Sequence, residues 1–386
     1  MSNFFKVSHT SSKSKARLGE IKTSHGVINT PSFVAVGTKG TVKALTPSIL
    51  KDIGTQVAFV NTYHLVTHPG PEIIEKAGGI HNYSKLNIPL MSDSGGFQVF
   101  SLGREQRKAN VRGEEEPLVV KISEDGVKFR SSFDGALIEF TPEKSMEFQR
   151  KIGADINMAF DECTYYPATH EYAARAMERT HKWLKRCIKY KDNGLKNKQY
   201  LYGVIQGGTF EDLRKKSAEF VVAQNTPGVA IGGVSVGESK TEMRKQVGWV
   251  SGYLPKDRPV HLLGVGQIDD IVDLVKYGID TFDCVEPTRL ARMGSIYQMS
   301  TIKSQISGSI IENKEIDITK TVFKDNLEKV DKDCSCYVCQ NFTKSYLHHL
   351  FKQREILGYT LATFHNLWVM EKLFEKIREL IAGDMI

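Results

Sequence analysis

The chain has 386 residues, 40% hydrophobic and 25% charged, a globular composition long enough for one large domain plus an appendage, or for two domains. Its formal net charge of +7, from 52 Lys and Arg against 45 Asp and Glu, is compatible with a polyanionic partner without requiring one. Six cysteines are too few for a disulfide scaffold, no apolar run approaches the ~18 residues needed to cross a bilayer, and MSNFFKVSHTSSKSKARLGE lacks a signal-peptide core, so a soluble, cytoplasmic protein with no membrane partner is expected.

Short apolar or β-branched runs then recur along the chain: PSFVAVG, QVAFVNT, PLMSDSGG, DINMAFDE, YLYGVIQGG, GVAIGG, PVHLLGVG and DTFDCVE. There are eight. Segments such as PEKSMEFQRKIG, EYAARAMERTHKWLKRCIKY, TFEDLRKKSAEFVVAQ and GQIDDIVDLVKYG lie between them, with apolar positions every three to four residues. Strands alternating with helices in this number predict a parallel (β/α)8 TIM barrel. The runs end in groups a buried strand would not choose, namely Asn61, Asp93, Asp161, Gln206, Gly232-Gly233, Gly264 and Asp283. In such a barrel all these ends meet on one face, the face that carries the active site. A doubly wound open sheet is the rival, but no G-x-G-x-x-G follows the first strand.

The stretch GREQRKANVRGEEEP after the third run reads as a long surface loop. Beyond Tyr297 the polar QMSTIKSQISGSIIENKEIDITK lacks barrel periodicity. The expected organisation is therefore a barrel over 1–297, a polar connection or insertion over 298–333, and a zinc-binding, helix-rich region over 334–386. Cys334, Cys336 and Cys339 form C-x-C-x2-C, with His348, His349 and His365 as candidate fourth ligands. Three thiolates and an imidazole make a closed, structural zinc site rather than a catalytic one, and spacing alone does not choose the histidine.

Asp93 in SDSGGFQVFS precedes two glycines, which would let a flat ligand approach the backbone, and Phe97, a face for a base to stack on. FDECTYYPA contributes Asp161, GVIQGG contributes Gln206, and IGGVSVGE contributes a glycine turn and Glu238. Carboxylates with an amide can read a purine-like edge, because Asp accepts from N–H groups while Gln donates and accepts. Arg175, Arg179, Lys182, Arg186 and Lys189 share one helical face, which suits either a phosphate backbone or the solvated outside of a barrel helix.

SDSGGFQVFSL, FDECTYYPA, IQGG, IGGVSVGE, LLGVGQ, FDCVEPTRLARMG, and CSCYVC with TFHNL together resemble the bacterial tRNA-guanine transglycosylase (queuine tRNA-ribosyltransferase) family, from about Thr30 onward. The resemblance implies a (β/α)8 barrel with a zinc-binding insertion near its C-terminal end, a homodimer, and exchange of guanine 34 in GUN-anticodon tRNAs for the 7-deazaguanine preQ1. It implies Asp283 as nucleophile and Asp93 as general acid/base. Asp161, Gln206 and the backbone of Gly233 and Val234 would bind the base, between Phe97 and Leu263. Glu238 would tune the adjacent peptide, Arg289 and Arg292 would grip the tRNA, and His365 would complete the zinc site, leaving His348 and His349 as bystanders. Val236 and Cys163 match the bacterial pattern; relatives that accept queuine carry a smaller residue at the first of these positions.

The chemistry suits these residues: a carboxylate can trap C1′ while a second carboxyl protonates the leaving base, and two inversions restore the β configuration. Cys284 adjoins Asp283, but neighbouring strand side chains point to opposite faces. The sequence departs from the family pattern at Glu286, usually apolar, at Met293, often asparagine, and in longer segments after Gly103 and over 298–314. The alternatives are a non-catalytic tRNA-binding homologue, which would lose one or both aspartates, a zinc-dependent hydrolase on the same fold, and the archaeal branch, which carries an additional RNA-binding domain.

Overall fold

The computed structural model describes residues 4–96, 118–131, 133–191, 199–300 and 315–386. The chain opens with an antiparallel sheet of β1 (Phe5–Thr10), β2 (Arg17–Thr23) and β3 (Gly26–Thr30). It then enters the expected barrel. The strands are β4 (Ser32–Val36), β5 (Ala58–Val60) and β6 (Leu90–Ser92), then, after an antiparallel excursion of β7 (Leu118–Ile122), β8 (Val127–Arg130) and β9 (Leu137–Phe140), β10 (Ile156–Met158), β11 (Tyr200–Ile205), β12 (Gly228–Ile231), β13 (Val260–Leu262) and β14 (Thr281–Cys284). All neighbours in the barrel pair in parallel, and β14 closes on β4 with Asp283 opposite Val34. Each of the eight runs read from the sequence supplies one strand.

The barrel interior is apolar towards the strand starts. Val34, Phe59, Met91, Ile156, Tyr202 and Ala230 pack there with Phe4, Ile21 and Ile28 from the N-terminal segment. Phe4 stacks on Tyr200, at the start of β11, with ring centroids 3.6 Å apart. The β1–β3 sheet therefore plugs the end of the barrel opposite the polar strand termini. Arg17 of β2 secures it through a buried, bidentate pair with Asp280, Nε to Oδ1 at 3.0 Å and Nη2 to Oδ2 at 2.6 Å.

Local signals account for the helix limits. The helix Pro142–Ile152 starts where Thr141 Oγ1 accepts from Lys144 N–H, with Pro142 in the first turn, and stops at Gly153 in the left-handed region. The helix Lys240–Val250 starts with a capping box between Ser239 and Glu242. In the helix His170–Lys191, Ala173, Ala176, Met177, Thr180, Trp183, Leu184 and Cys187 form the buried stripe. Each large apolar side chain buried this way contributes about 1.5–3 kcal/mol before entropy is counted.

Three of the five cations on the basic face of that helix are engaged within the protein. Arg179 pairs with Glu162 and with Glu124 at 3.0 Å, Lys182 meets Glu124 at 2.8 Å, and Arg186 meets Glu143 at 2.7 Å. Glu124 lies between β7 and β8, so these cations tie the excursion and the preceding helix to the barrel. Arg179, Lys182 and Arg186 thus belong to the ion-paired outer face of a barrel helix.

After β14 the chain forms the helix Glu286–Met293 and an antiparallel pair, β15 (Ser295–Tyr297) with β16 (Glu315–Asp317). Residues 301–314, the centre of the polar segment, and the loop after Gly103 lie outside the described residues. The cysteine region follows, and the chain returns as the helix Ile356–Ala382. Phe374 of that helix sits 6.2 Å from Phe33 of β4 and 5.8 Å from Phe282 of β14, covering the seam where the barrel closes. The cysteine region is thus inserted before the helix that completes the outer layer. No helix among the described residues is long and apolar enough to cross a membrane.

Candidate active site and metal centre

The polar strand ends line one cavity of about 1420 Å³. Asp93, Asp161, Gln206, Gly233, Val234, Leu263, Asp283 and Arg289 all border it. Phe97 lies outside the described residues. Glu238 stands behind the wall, and Arg292, one turn beyond Arg289, donates to the Thr288 carbonyl at 2.7 Å.

Asp93 follows β6 and is held by the segment after β5. Thr62 N–H donates to its Oδ1 at 2.7 Å, Gly95 N–H donates to the same oxygen at 3.2 Å, and Asn61 Nδ2 donates to Oδ2. Asn61 also caps the short helix Thr62–Thr67 by accepting from His64 N–H. One side chain thus sets the helix start and the orientation of the carboxylate.

Asp161 is buried between Ser94 Oγ, which donates to Oδ1 at 2.9 Å, and Gln206 Nε2, which donates to Oδ2 at 2.7 Å. Burial outweighs these bonds and pushes its pKa up to about 6. Gln206 Oε1 is buried without a hydrogen-bond partner among the described residues. Gly233 lies against this amide in the left-handed region, at φ +63°, and a Cβ on it would fall 2.1 Å from Gln206 Oε1. Gly96 answers a similar demand, since its Cβ would fall 2.5 Å from the Asp161 carbonyl. Packing within the protein by itself therefore requires glycine at that position.

Arg214 holds the loops beneath this pocket. Fully buried, it spends its donors on the carbonyls of Gly208 (2.7 Å), Gly232 (2.6 Å) and Gly233 and on Gln246 Oε1 (2.8 Å). Gln246 Nε2 in turn reaches Glu238, whose carboxylate accepts from Ser235 N–H at 2.6 Å and Val236 N–H at 2.9 Å. Arg214 is not among the site residues the sequence motifs point to. Its signal was position, because it lies on the stripe of Ser217, Ala218 and Val221 that the helix Glu211–Ala223 buries.

Asp283 is the penultimate residue of β14, with its side chain 13% exposed. Gly264 N–H donates to Oδ1 at 2.9 Å, and His261 Nε2 lies 3.1 Å from the same oxygen. His261, which no sequence motif singles out, shares strand parity with Leu263 and so faces inward. Cys284 borders the cavity as well as packing on the barrel core, so alternation does not turn it wholly away. Burial instead disqualifies it as a nucleophile by pushing its thiol up to about 12. Glu286 accepts from Gln267 Nε2, and its own pKa is raised by burial.

Away from this cavity, the donor atoms of Cys334, Cys336, Cys339 and His365 lie within 4.8 Å of one another, all buried. His365 Nδ1 is 3.5 Å from Cys336 Sγ and 3.3 Å from Cys339 Sγ. Its Nε2 donates to the Tyr297 carbonyl at 2.9 Å, leaving Nδ1 unprotonated towards the sulfurs. Cys336 N–H and Cys339 N–H point at Cys334 Sγ and Cys336 Sγ, both at 3.5 Å. The group fits a metal ion. His348 Nδ1 is instead bonded to the Ile318 carbonyl at 2.7 Å. A second cluster, His25, His81 and Asp155, has its imidazoles stacked 3.4 Å apart at 9°; their in-plane lone pairs run parallel and cannot converge well on one ion.

The family model described as queuine tRNA-ribosyltransferase matches residues 11–386. The chain belongs to that family. Membership makes it an enzyme, a transferase of pentosyl groups that modifies tRNA. It is 45% identical over 382 residues to a queuine tRNA-ribosyltransferase of Caldanaerobacter subterraneus subsp. tengcongensis, covering 99% of this chain and 94% of the relative. The corresponding protein of Natranaerobius thermophilus is 43% identical, with 98% and 95% covered. A putative queuine tRNA-ribosyltransferase of Archaeoglobus fulgidus is 40% identical, with 98% and 96% covered.

Proposed function

We propose that the enzyme exchanges guanine 34 in the anticodon of GUN-type tRNAs for preQ1, by double displacement through a covalent enzyme–tRNA intermediate. The observation that carries this reading is the meeting of Asp93 and Asp283 in one cavity with the Asp161–Gln206 pair. Asp283 attacks C1′, and Asp93 gives a proton to the departing base and takes one from the incoming base. Asp161 as carboxylate accepts from the ring and amino N–H groups of a guanine-like base, and Gln206 and the Gly233–Val234 backbone complete its edge. Leu263 and Phe97 sandwich the ring. Arg289, at the cavity rim, and Arg292 hold the tRNA around position 34.

The backbone near Glu238 supports preQ1 as the incoming base. With Ser235 N–H turned to Glu238, the carbonyl of the same planar peptide, that of Val234, points away from Glu238, and both residues border the cavity. An acceptor there suits the aminomethyl group of preQ1. Val236 and Cys163 also border the cavity and limit its depth. In a competition assay with tRNA, preQ1 or guanine is expected to be incorporated over the bulkier queuine by at least about tenfold. Equal incorporation of queuine and preQ1 would overturn this assignment.

The ion held by Cys334, Cys336, Cys339 and His365 is zinc in this reading, one per chain. Four protein ligands close the site, so its contribution is to folding. None of the four borders the cavity, which speaks against the zinc-dependent hydrolase. Both aspartates are present in the cavity, which speaks against a non-catalytic homologue. A homodimer, cytoplasmic location and division into a barrel over 1–297, a connection over 298–333 and a zinc-binding region over 334–386 belong to the same proposal.

A further inference from the structure

Asp283 presents two oxygens in unlike surroundings. Oδ1 is occupied by Gly264 N–H and faces His261 Nε2. Among the described residues no hydrogen-bond donor is found at Oδ2. His261 is fully buried in β13, and its Nδ1 lies 2.9 Å from Thr281 Oγ1, two residues before Asp283 on β14. A threonine hydroxyl can donate to Nδ1, which keeps the proton on Nε2, aimed at the carboxylate. The ring is further held by Phe59, stacked at 5.8 Å between centroids. Turning the imidazole over would break both of its hydrogen bonds.

We infer that His261 is the positioning residue of the nucleophile: with Gly264 it commits Oδ1 to fixed donors and thereby assigns attack on C1′ to Oδ2. This rests on reading Asp283 as the nucleophile. In the first displacement an Oδ2 lone pair forms the bond to C1′ as the bond from C1′ to the guanine nitrogen breaks. The electron pair of that broken bond stays with guanine, which takes a proton from the Asp93 carboxyl, and Oδ1 becomes the ester carbonyl oxygen. In the second, the ring nitrogen of the incoming base bonds to C1′ and its proton passes to Asp93. The Oδ2–C1′ pair returns to Asp283, where the two donors on Oδ1 already await the restored charge.

The test uses full-length, metal-loaded protein and tRNA with a GUN anticodon, quenched in denaturant over time to give the rate of adduct formation, with tRNA affinity measured separately. His261→Phe and His261→Asn should slow adduct formation about 10- to 100-fold, the scale of one hydrogen bond to a charged group, with tRNA affinity changed by less than about twofold. His261→Gln places its amide nitrogen near the Nε2 position and should recover the rate to within about fivefold of the unsubstituted protein. A purely structural role would not separate Gln from Asn. Should the Phe variant fail to fold, the Gln and Asn pair still decides. Equal rates in the Asn, Gln and unsubstituted proteins, or equal losses in Asn and Gln, overturn the inference. Asp283→Asn run in parallel separates the two ideas: an adduct in that variant overturns the nucleophile assignment itself, whereas none there beside an unchanged rate in His261→Asn overturns only the role of His261.

Discussion

With tRNA present and the incoming base withheld, the unsubstituted enzyme should accumulate a denaturant-resistant adduct, and Asp283→Asn should form none. One displacement is then complete and the second waits for a nucleophile. Base exchange in Asp283→Asn should fall by about four orders of magnitude, the scale on which enzymes lose activity when the attacking group is removed. Asp93→Asn should fall by about 10²- to 10⁴-fold for a different reason, since tRNA still binds but the departing guanine lacks its proton donor. Cys284→Ala should keep the adduct. Its thiol is raised to about 12 by burial, so little thiolate exists to attack near neutral pH, and the cost is confined to lost packing. Intact mass of the three enzyme–tRNA mixtures reads all these outcomes; an adduct that survives Asp283→Asn and vanishes in Cys284→Ala would transfer the role to the thiol.

The second large effect concerns the metal. Cys336→Ser should release zinc and loosen the C-terminal region, because the binding energy of a closed Cys3His site, about 10 kcal/mol or more in small zinc domains, is largely folding energy. The consequence should extend to the barrel. His365 lies on the helix Ile356–Ala382, whose Phe374 covers the seam between β14 and β4. His365→Ala should lose metal likewise, while His349→Ala, on an exposed side chain, and His348→Ala, whose imidazole serves the Ile318 carbonyl, should keep one zinc per chain. Elemental analysis of the four variants decides, and full occupancy in His365→Ala would remove it from the ligand set.

The barrel was legible because each run combined a short apolar core with a polar C-terminal end, and the polar ends could be gathered by one fold. The β1–β3 plug and the β7–β9 excursion were not read as strands, although VKFRSSFDGALIEF alternates in the manner of a half-buried sheet. Residues acting through distant loops were hardest to see. Arg214 binds carbonyls that lie up to 19 positions away, and His261 meets Asp283 across two strands. Neither contact leaves a local pattern. The basic stripe is open to two readings because periodicity gives a face but not its occupant, and Glu124, Glu143 and Glu162 occupy it at Arg179, Lys182 and Arg186.

The most direct measurement is exchange of labelled guanine into tRNA by the purified, zinc-loaded enzyme. A tRNA with a GUN anticodon should take up one labelled guanine per molecule, at position 34, without an energy source or redox cofactor, because the double displacement conserves the energy of the glycosidic bond in the ester to Asp283. The same tRNA with G34 replaced by adenine should take up none. Label entering both tRNAs equally, or neither while the protein is folded and zinc-loaded, would contradict guanine 34 exchange as the activity of this site.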